Sequence, residues 1–129
     1  MSKKNSILIV DDDQIIRSLA RKILDRAGYD TEFASNSKEA LVVFGLHPEL
    51  YNLVIIDYTM DGISGVDLAQ TFRLLVPDVP IIMSSGERID LDVIPPDLKS
   101  NTHILQKPYR SQELVGLVQF ALAQFALVR

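Results

Sequence analysis

The chain has 129 residues, with 13 lysines and arginines, 17 aspartates and glutamates, a formal net charge of −4 at pH 7 and no cysteine. That length favours one compact domain, and the lack of cysteine excludes disulfides, thiolate metal sites and a catalytic cysteine. The acidic balance argues against direct binding of nucleic acid, and no apolar run approaches the ~18 residues of a membrane span. We therefore expect a cytoplasmic protein that binds neither nucleic acid directly nor membranes.

Five segments have the pattern of β-strands. Ile7–Val10, Leu53–Ile56 and Pro80–Met83 are rich in branched apolar residues and show no alternation. Such runs are typical of central strands in a parallel sheet that is covered on both faces. Two weaker candidates are Asp30–Ala34 and His103–Gln106, and the first of them alternates charged and apolar residues, as an edge strand does.

Helical patterns lie between these strands. One apolar stripe predicts a helix over Gln14–Ala27, followed by Gly28 where a helix end favours positive φ. Asn36 and Ser64 are predicted to cap the second and third helices, since an acidic residue follows each of them three positions later. The order is therefore strand then helix, repeated five times, which predicts a parallel sheet with helices on both faces.

The fourth helix is expected within Glu87–Thr102, where Pro95-Pro96 interrupts the pattern. Proline inside a helix costs about 3 kcal/mol and restricts the residue before it. Two interpretations stay open: a short or broken helix in which Pro96 starts a second turn, or a long loop with one helical turn.

The last helix is predicted to be capped by Ser111 and to run to about Val128. Its core stripe comprises Leu114, Leu117, Val118, Ala121, Leu122 and Phe125. Further apolar surface comes from Val115, Phe120, Ala126, Leu127 and Val128. A helix that is apolar nearly all round is buried on more than one side. This predicts a homodimer or partner contact, although crowding against the fourth helix, or a cut from a longer chain, would explain the same pattern.

Polar side chains follow four of the five predicted strands. Asp11-Asp12-Asp13 come after the first strand, Asp57 after the third, Ser84-Ser85 after the fourth and Lys107 after the fifth. In parallel α/β sheets the carboxyl ends of the strands meet at one edge, where ligands bind. Clustered carboxylates repel one another, and Mg²⁺, which prefers oxygen ligands, relieves that repulsion. A lysine and a serine beside them suit phosphoryl oxygens, and a carboxylate can itself be the nucleophile in phosphoryl transfer.

Together these motifs resemble the receiver domain of response regulators, the phosphoacceptor module of two-component signalling. The resemblance covers essentially the whole chain, through Ile7–Asp13, Leu53–Asp57, Asp57–Gly65, Pro80–Gly86 and Lys107–Tyr109. It implies a flavodoxin-like (βα)5 fold with a five-stranded parallel sheet of order 2-1-3-4-5. Residues 1–129 would then form one receiver domain, with no output domain in this chain.

The resemblance also implies a role for each site residue. Asp57 would accept the phosphoryl group from a sensor histidine kinase or a histidine phosphotransfer protein. The implied Mg²⁺ ligands are Asp11, Asp12, Asp57 and the backbone carbonyl of Thr59. The Ser85 hydroxyl and Lys107 would contact the phosphoryl group, and a cis bond is expected before Pro108. Such a domain catalyses its own phosphorylation and dephosphorylation and is a signalling switch rather than a turnover enzyme.

Three features depart from the receiver pattern. Asp61 stands where a proline is usual, and Ile104 stands where the switch residue is normally aromatic. Pro95-Pro96 interrupts the fourth helix. The last two features lie on the face that most receivers use for output, so the usual dimer mode is not transferred to this chain.

Two other functions remain as alternatives. One is a pseudo-receiver, an interaction module that is not phosphorylated. The other is a phosphatase of the haloacid-dehalogenase type, in which Asp11 would be the nucleophile. That class needs an acidic pair on a strand after the lysine, and the one acid beyond Lys107 is Glu113, in the predicted last helix.

Overall fold

The computed structural model describes residues 4–60 and 62–127, in which five strands alternate with five helices. In chain order these are β1 Ser6–Val10, α1 Gln14–Arg26, β2 Asp30–Ala34, α2 Ser37–Leu46, β3 Leu53–Asp57, α3 Gly65–Leu75, β4 Ile81–Ser85, α4 Pro96–Lys99, β5 Thr102–Gln106 and α5 Ser111–Leu127. Short 3-10 turns lie at Pro48–Leu50 and Leu91–Val93.

The strands form one parallel sheet in the order β2-β1-β3-β4-β5. The predicted flavodoxin-like order is therefore confirmed, with β2 at one edge and β5 at the other. All residues of β3 and β4 are buried. In β2, exposed and half-buried residues alternate up to the buried Ala34. The apolar runs without alternation mark the covered strands, and the alternating segment marks an edge strand.

Two hydrophobic cores explain why the central strands are apolar on both faces until their carboxyl ends, where Asp57, Ser84 and Ser85 lie. Leu8, Val54 and Met83 face one core, which α2 and α3 close with Phe44 and Phe72. Successive residues of a strand point to opposite faces, so the intervening residues of the same strands face the second core. The second core is closed by α1 and α5, through Ala20, Leu24, Leu114 and Val118.

The predicted helix ends are mostly confirmed. Gly28 has φ +95° and follows α1, and the Asn36 and Ser64 side chains accept the amides of the residues three positions on. Ser111 is the first residue of α5 rather than the residue before it, so its predicted capping role is wrong. The Arg110 amide instead donates to Glu113 Oε1 at 2.9 Å.

The fourth helix is short, as the proline pair predicts. It begins at Pro96 and spans four residues, after the 3-10 turn at Leu91–Val93. Because four residues make about one turn, the two interpretations from the sequence describe nearly the same structure. Leu98 and Ile94 still reach the first core, so this short segment covers the sheet near β4 and β5.

The last helix buries Leu114, Val118 and Ala121 in the second core, and Phe125 is also buried, while Leu117 and Leu122 are partly buried. Phe120 remains 53% exposed, and its ring meets His103 edge-on at 5.5 Å. Val128 lies outside the described residues. The homodimer contact through this helix stays a prediction.

Candidate functional site

The predicted acidic cluster forms at the carboxyl edge of the sheet. Asp11 follows β1 and Asp57 is the last residue of β3, and with Asp12 they bring carboxylate oxygens within 4.8 Å of one another. Asp11 is 3% exposed and Asp57 is 7% exposed, while Asp12 is open to solvent. The cluster therefore has two buried carboxylates and one that faces outward.

Lys107 completes the charge arrangement. Its Nζ lies 2.8 Å from Asp11 Oδ2 and 3.4 Å from Asp57 Oδ2. The residue follows β5, where its backbone amide donates to the Ser85 carbonyl at 2.7 Å and the Lys107–Pro108 peptide bond is cis, as predicted. The three carboxylates of the cluster therefore outnumber the Lys107 ammonium that contacts two of them.

The β1–α1 loop holds the acidic residues in place through its own hydrogen bonds. Asp11 Oδ1 accepts the Asp13 amide at 2.9 Å, and Asp13 Oδ1 accepts the amides of Ile15 and Ile16 at the start of α1. Asp13 thus has the ordinary role of a helix cap. Asp12 is left as the member of the run whose carboxylate is available to a ligand.

The β3–α3 loop shapes the surroundings of Asp57. The Thr59 amide donates to Asp57 Oδ1 at 3.1 Å, and the Tyr58 amide donates to the Ser84 carbonyl at 2.8 Å. A side chain at Gly65 would place its Cβ 2.8 Å from the Asp57 carbonyl oxygen and 3.0 Å from Tyr58 Cα. Glycine at position 65 therefore lets α3 start directly against the backbone of Asp57.

The two serines lie within β4 and not after it, which corrects the predicted strand end. Ser84 pairs in register with Asp57, and Ser85 is the next residue along the same edge. Ser85 is 1% exposed, and its hydroxyl accepts the Glu87 amide at 3.0 Å. The structure thus brings Ser85 to the same sheet edge as Asp57 and Lys107, with Asp57 likewise inside its strand.

Burial and the neighbouring charges shift the pKa values of Asp57 and Lys107. Burial raises the pKa of Asp57, and the charge of Asp11 adds to the rise, while the Thr59 amide and Lys107 act against it. Burial alone would lower the pKa of Lys107, but its hydrogen bond to Asp11 and the charges of Asp11 and Asp57 raise it. The ammonium is therefore held charged beside a carboxylate that burial makes harder to ionise.

Other sequence predictions meet different outcomes. Asp61 lies outside the described residues. Ile104 is half-buried against the first core and lines a small cavity of about 290 Å³ with Leu91, Ile94, Lys99 and Thr102. Glu113 lies in α5, and no strand follows Lys107 in the described part of the chain, so the acidic pair of a haloacid-dehalogenase-type site is missing there.

One residue near the site was not singled out from the sequence. Nη1 of Arg17 donates to the backbone carbonyl of Asp11 at 2.6 Å. The available signal was spacing, since Arg17 follows the cap Asp13 by four residues and so shares its side of the helix. Spacing alone does not distinguish such a contact from an ordinary surface arginine.

A doubly wound five-stranded sheet with an acidic cluster and a lysine at its carboxyl edge defines a flavodoxin-like receiver module. The sequence model of the response regulator receiver domain matches residues 7–119, and the chain belongs to that family. It is a receiver domain of two-component signalling, a class of signalling domains that interact with histidine kinases.

Individual relatives agree with this assignment. The chain is 31% identical over 119 residues to the DNA-binding transcriptional regulator NtrC of Rhizobium meliloti, matching 92% of this chain and 24% of that protein. It is 31% identical to the CpxR homologue of Haemophilus influenzae, matching 95% of this chain and 52% of that protein. The chain thus spans between about a quarter and about half the length of these relatives.

The fold agrees with solved receiver structures. A response regulator receiver domain protein from Clostridium thermocellum has a TM-score of 0.87 and 26% sequence identity, over 97% of this chain and 99% of that one. A CheY-like receiver domain protein from Methanospirillum hungatei has a TM-score of 0.86 and 26% identity, over 98% of this chain and 100% of that one.

Among the described residues, no helix has the length and apolar character needed to cross a membrane.

Proposed function

We propose that Asp57 is the phosphoacceptor of this receiver domain and takes its phosphoryl group from a phosphohistidine on a sensor histidine kinase or a histidine phosphotransfer protein. The observation that carries the proposal is the set of distances joining Asp57 to Asp11, Asp12 and Lys107. Residues 1–129 would act as one receiver domain in the cytoplasm, whatever output the full-length protein has.

In the transfer, an Asp57 carboxylate oxygen attacks phosphorus, a P–O bond forms and the P–N bond to the histidine breaks. The electron pair of that bond stays on the imidazole of the partner. The Thr59 amide, which donates to Asp57 Oδ1 at 3.1 Å, orients the carboxylate and leaves Oδ2 on the side of Lys107. Such reactions are accelerated mainly by positioning and by neutralising charge.

The residues present fit Mg²⁺ as a resident cofactor. Hard dications take oxygen ligands, and the cluster offers three carboxylates within 4.8 Å of one another, with the Lys107 ammonium beside them. We propose Asp11, Asp12, Asp57 and the Thr59 carbonyl as its holders, with Asp12 as a direct ligand. Bound Mg²⁺ would neutralise the negative charge that carboxylates and phosphoryl oxygens bring together.

Lys107 and Ser85 would hold the phosphoryl group once it has transferred. Lys107 Nζ already lies 3.4 Å from Asp57 Oδ2, so a small shift away from Asp11 brings it to a phosphoryl oxygen. The Ser85 hydroxyl accepts the Glu87 amide and still has its own proton to donate. Movement of Ser85 toward the phosphoryl group would carry the signal into β4 and the short α4.

A protein partner needs a surface beside this site, and α1 offers one. Ile15 is 78% exposed and Leu19 is 44% exposed, one turn apart on the helix that Asp13 caps. Clustered exposed apolar side chains mark interaction surfaces. We propose that the phosphohistidine donor docks on Ile15 and Leu19 while it presents its histidine to Asp57.

The direct test is phosphorylation by acetyl phosphate with Mg²⁺. The wild type and Asp11→Asn are compared with Asp57→Asn, which keeps the shape of the side chain but removes the nucleophile. We expect a base-labile, acid-stable label on the wild type and none on Asp57→Asn. Label that persists on Asp57→Asn but is lost in Asp11→Asn would favour Asp11 as the nucleophile, and no label on the wild type would favour a pseudo-receiver.

A further inference from the structure

A side chain from α1 closes the acidic loop at its base. Arg17 Nη1 donates to the Asp11 carbonyl at 2.6 Å, and the Arg17 amide donates to the Asp13 carbonyl at 3.0 Å. The side-chain bond joins residues six positions apart and so closes a ring of chain that contains Asp12. Asp12 is the exposed carboxylate of the cluster, so its backbone is held by this ring and by no core packing of its own side chain.

The contact adds to a set that fixes Asp11 on every side. The Asp11 amide donates to the Ala34 carbonyl at 3.1 Å, Oδ1 accepts the Asp13 amide at 2.9 Å, and Oδ2 accepts from Lys107 at 2.8 Å. Arg17 supplies the bond to the carbonyl oxygen. Hydrogen bonds with a charged partner are shorter and stronger than neutral ones, so this bond is a strong restraint on the loop.

A second arginine on the same helix, Arg21, also contacts the aromatic ring beside Arg17. The Arg17 guanidinium lies 5.9 Å from the centroid of the Phe33 ring, and that of Arg21 lies 4.1 Å from it. Arg21, however, bonds to the Thr31 hydroxyl and carbonyl on β2. The two residues share charge, helix and aromatic partner, and they differ in which of them reaches the acidic loop.

We propose that Arg17 is a positioning residue for the acidic cluster and sets its affinity for a divalent cation. The inference rests on the proposed function, since it concerns the cation of that same site. Three carboxylates within 4.8 Å repel one another, so an unrestrained loop would relax outward. Binding of a cation would then also require the loop to become ordered again, which lowers the affinity for the cation. The Arg17 bond keeps the loop ordered before the cation binds.

The test compares Arg17→Met with Arg21→Met by isothermal titration calorimetry with Mg²⁺. Each variant loses one positive charge and one contact with Phe33. Loss of the Arg17 charge beside Asp11 would by itself strengthen Mg²⁺ binding, so weaker binding in Arg17→Met reports the lost hydrogen bond and not the lost charge. We expect Arg17→Met to raise the Kd for Mg²⁺ about tenfold, which is about 1.4 kcal/mol. Arg21→Met should stay within about twofold of the wild type, below about 0.4 kcal/mol. Arg17→Lys keeps the charge without the planar fork and should fall between the wild type and Arg17→Met.

A second readout requires no cation. Amide hydrogen exchange in the β1–α1 loop, measured at the Asp13 amide in Mg²⁺-free buffer, should be faster in Arg17→Met than in Arg21→Met, while the amides of β3 exchange as in the wild type. Faster exchange throughout β3 would instead indicate general destabilisation and would overturn the assignment, as would equal Mg²⁺ affinities in the two variants.

The two proposals fail in different ways. A wild type that binds no Mg²⁺ and takes no label at Asp57 overturns both. A wild type that binds Mg²⁺ and is labelled, together with an Arg17→Met variant of unchanged Mg²⁺ affinity, overturns only the role of Arg17.

Discussion

Gly65→Ala tests how closely α3 approaches the proposed phosphoacceptor. The added Cβ would lie 2.8 Å from the Asp57 carbonyl oxygen, 3.0 Å from Tyr58 Cα and 3.3 Å from the Tyr58 carbonyl oxygen. All three are backbone atoms, so relief requires movement of the chain and not of a flexible side chain. Overpacking of this kind costs about 1–3 kcal/mol.

Alanine also gains stability through its helix propensity, by up to about 1 kcal/mol over glycine. With the full propensity gain subtracted, the net loss expected for Gly65→Ala is about 0–2 kcal/mol in the free energy of unfolding, measured by urea denaturation. Gly116→Ala is the matched control, because Gly116 lies inside α5, is exposed, and a Cβ there has nothing within 4 Å. That variant should be more stable than the wild type by up to about 1 kcal/mol.

The same movement displaces the Asp57 backbone, so the rate of labelling by acetyl phosphate should fall at least about tenfold in Gly65→Ala, since small misplacements of a reacting group are costly. Gly116→Ala should label at the wild-type rate. A Gly65→Ala protein that is stabilised like the control, or that labels normally, would refute the claim that position 65 must be glycine because of Asp57.

Three further predictions follow from the site and its surroundings. Mg²⁺ at about a hundred times its Kd should raise the free energy of unfolding of the wild type by about 2.7 kcal/mol, and the increase should be reversed by chelation and largely lost in Asp12→Asn. Burial lowers the pKa of His103, partly opposed by a hydrogen bond to Gln124. The unfolded chain then binds the extra proton first, so stability should decrease as pH falls from 7 through the unfolded value of about 6.5. His103→Gln should reduce that slope in urea titrations at pH 7 and 5.5, with the exposed His47→Gln as control. Ile15→Asp should slow transfer from a phosphohistidine donor protein at least about tenfold, the effect of losing a central interface contact, and should leave labelling by acetyl phosphate unchanged. Equal slowing with both donors would place Ile15 in the site and not on a docking surface.

Most of the fold could be predicted because burial leaves a strong pattern. Ile55 and Ile82 face one core while Ile56 and Met83 face the other, so both faces of each central strand had to be apolar. The apolar pattern ends two strands too early because Asp57, Ser84 and Ser85 are polar, whereas the pairing with the neighbouring strands continues through them. Polar residues therefore end the hydrophobic pattern in the sequence before the backbone hydrogen bonds of the strand end.

The composition of the site could also be predicted, because parallel strands bring their carboxyl ends to one edge. The distances between the side chains of the site could not be predicted in this way. Lys107 lies nearer to Asp11 than to Asp57, and Arg17 reaches a backbone carbonyl and not a carboxylate. Both contacts depend on side-chain conformations chosen by packing and charge in three dimensions, and residue types along the sequence carry no record of them.

Chemical mapping of the phosphorylated residue tests the central claim most directly. After treatment with acetyl phosphate and Mg²⁺, borohydride reduces an aspartyl phosphate to homoserine, and peptide mass spectrometry locates that change. The account predicts homoserine at position 57 in the peptide that contains Leu53–Tyr58. Homoserine at position 11 or 12, with Asp57 intact, would contradict it.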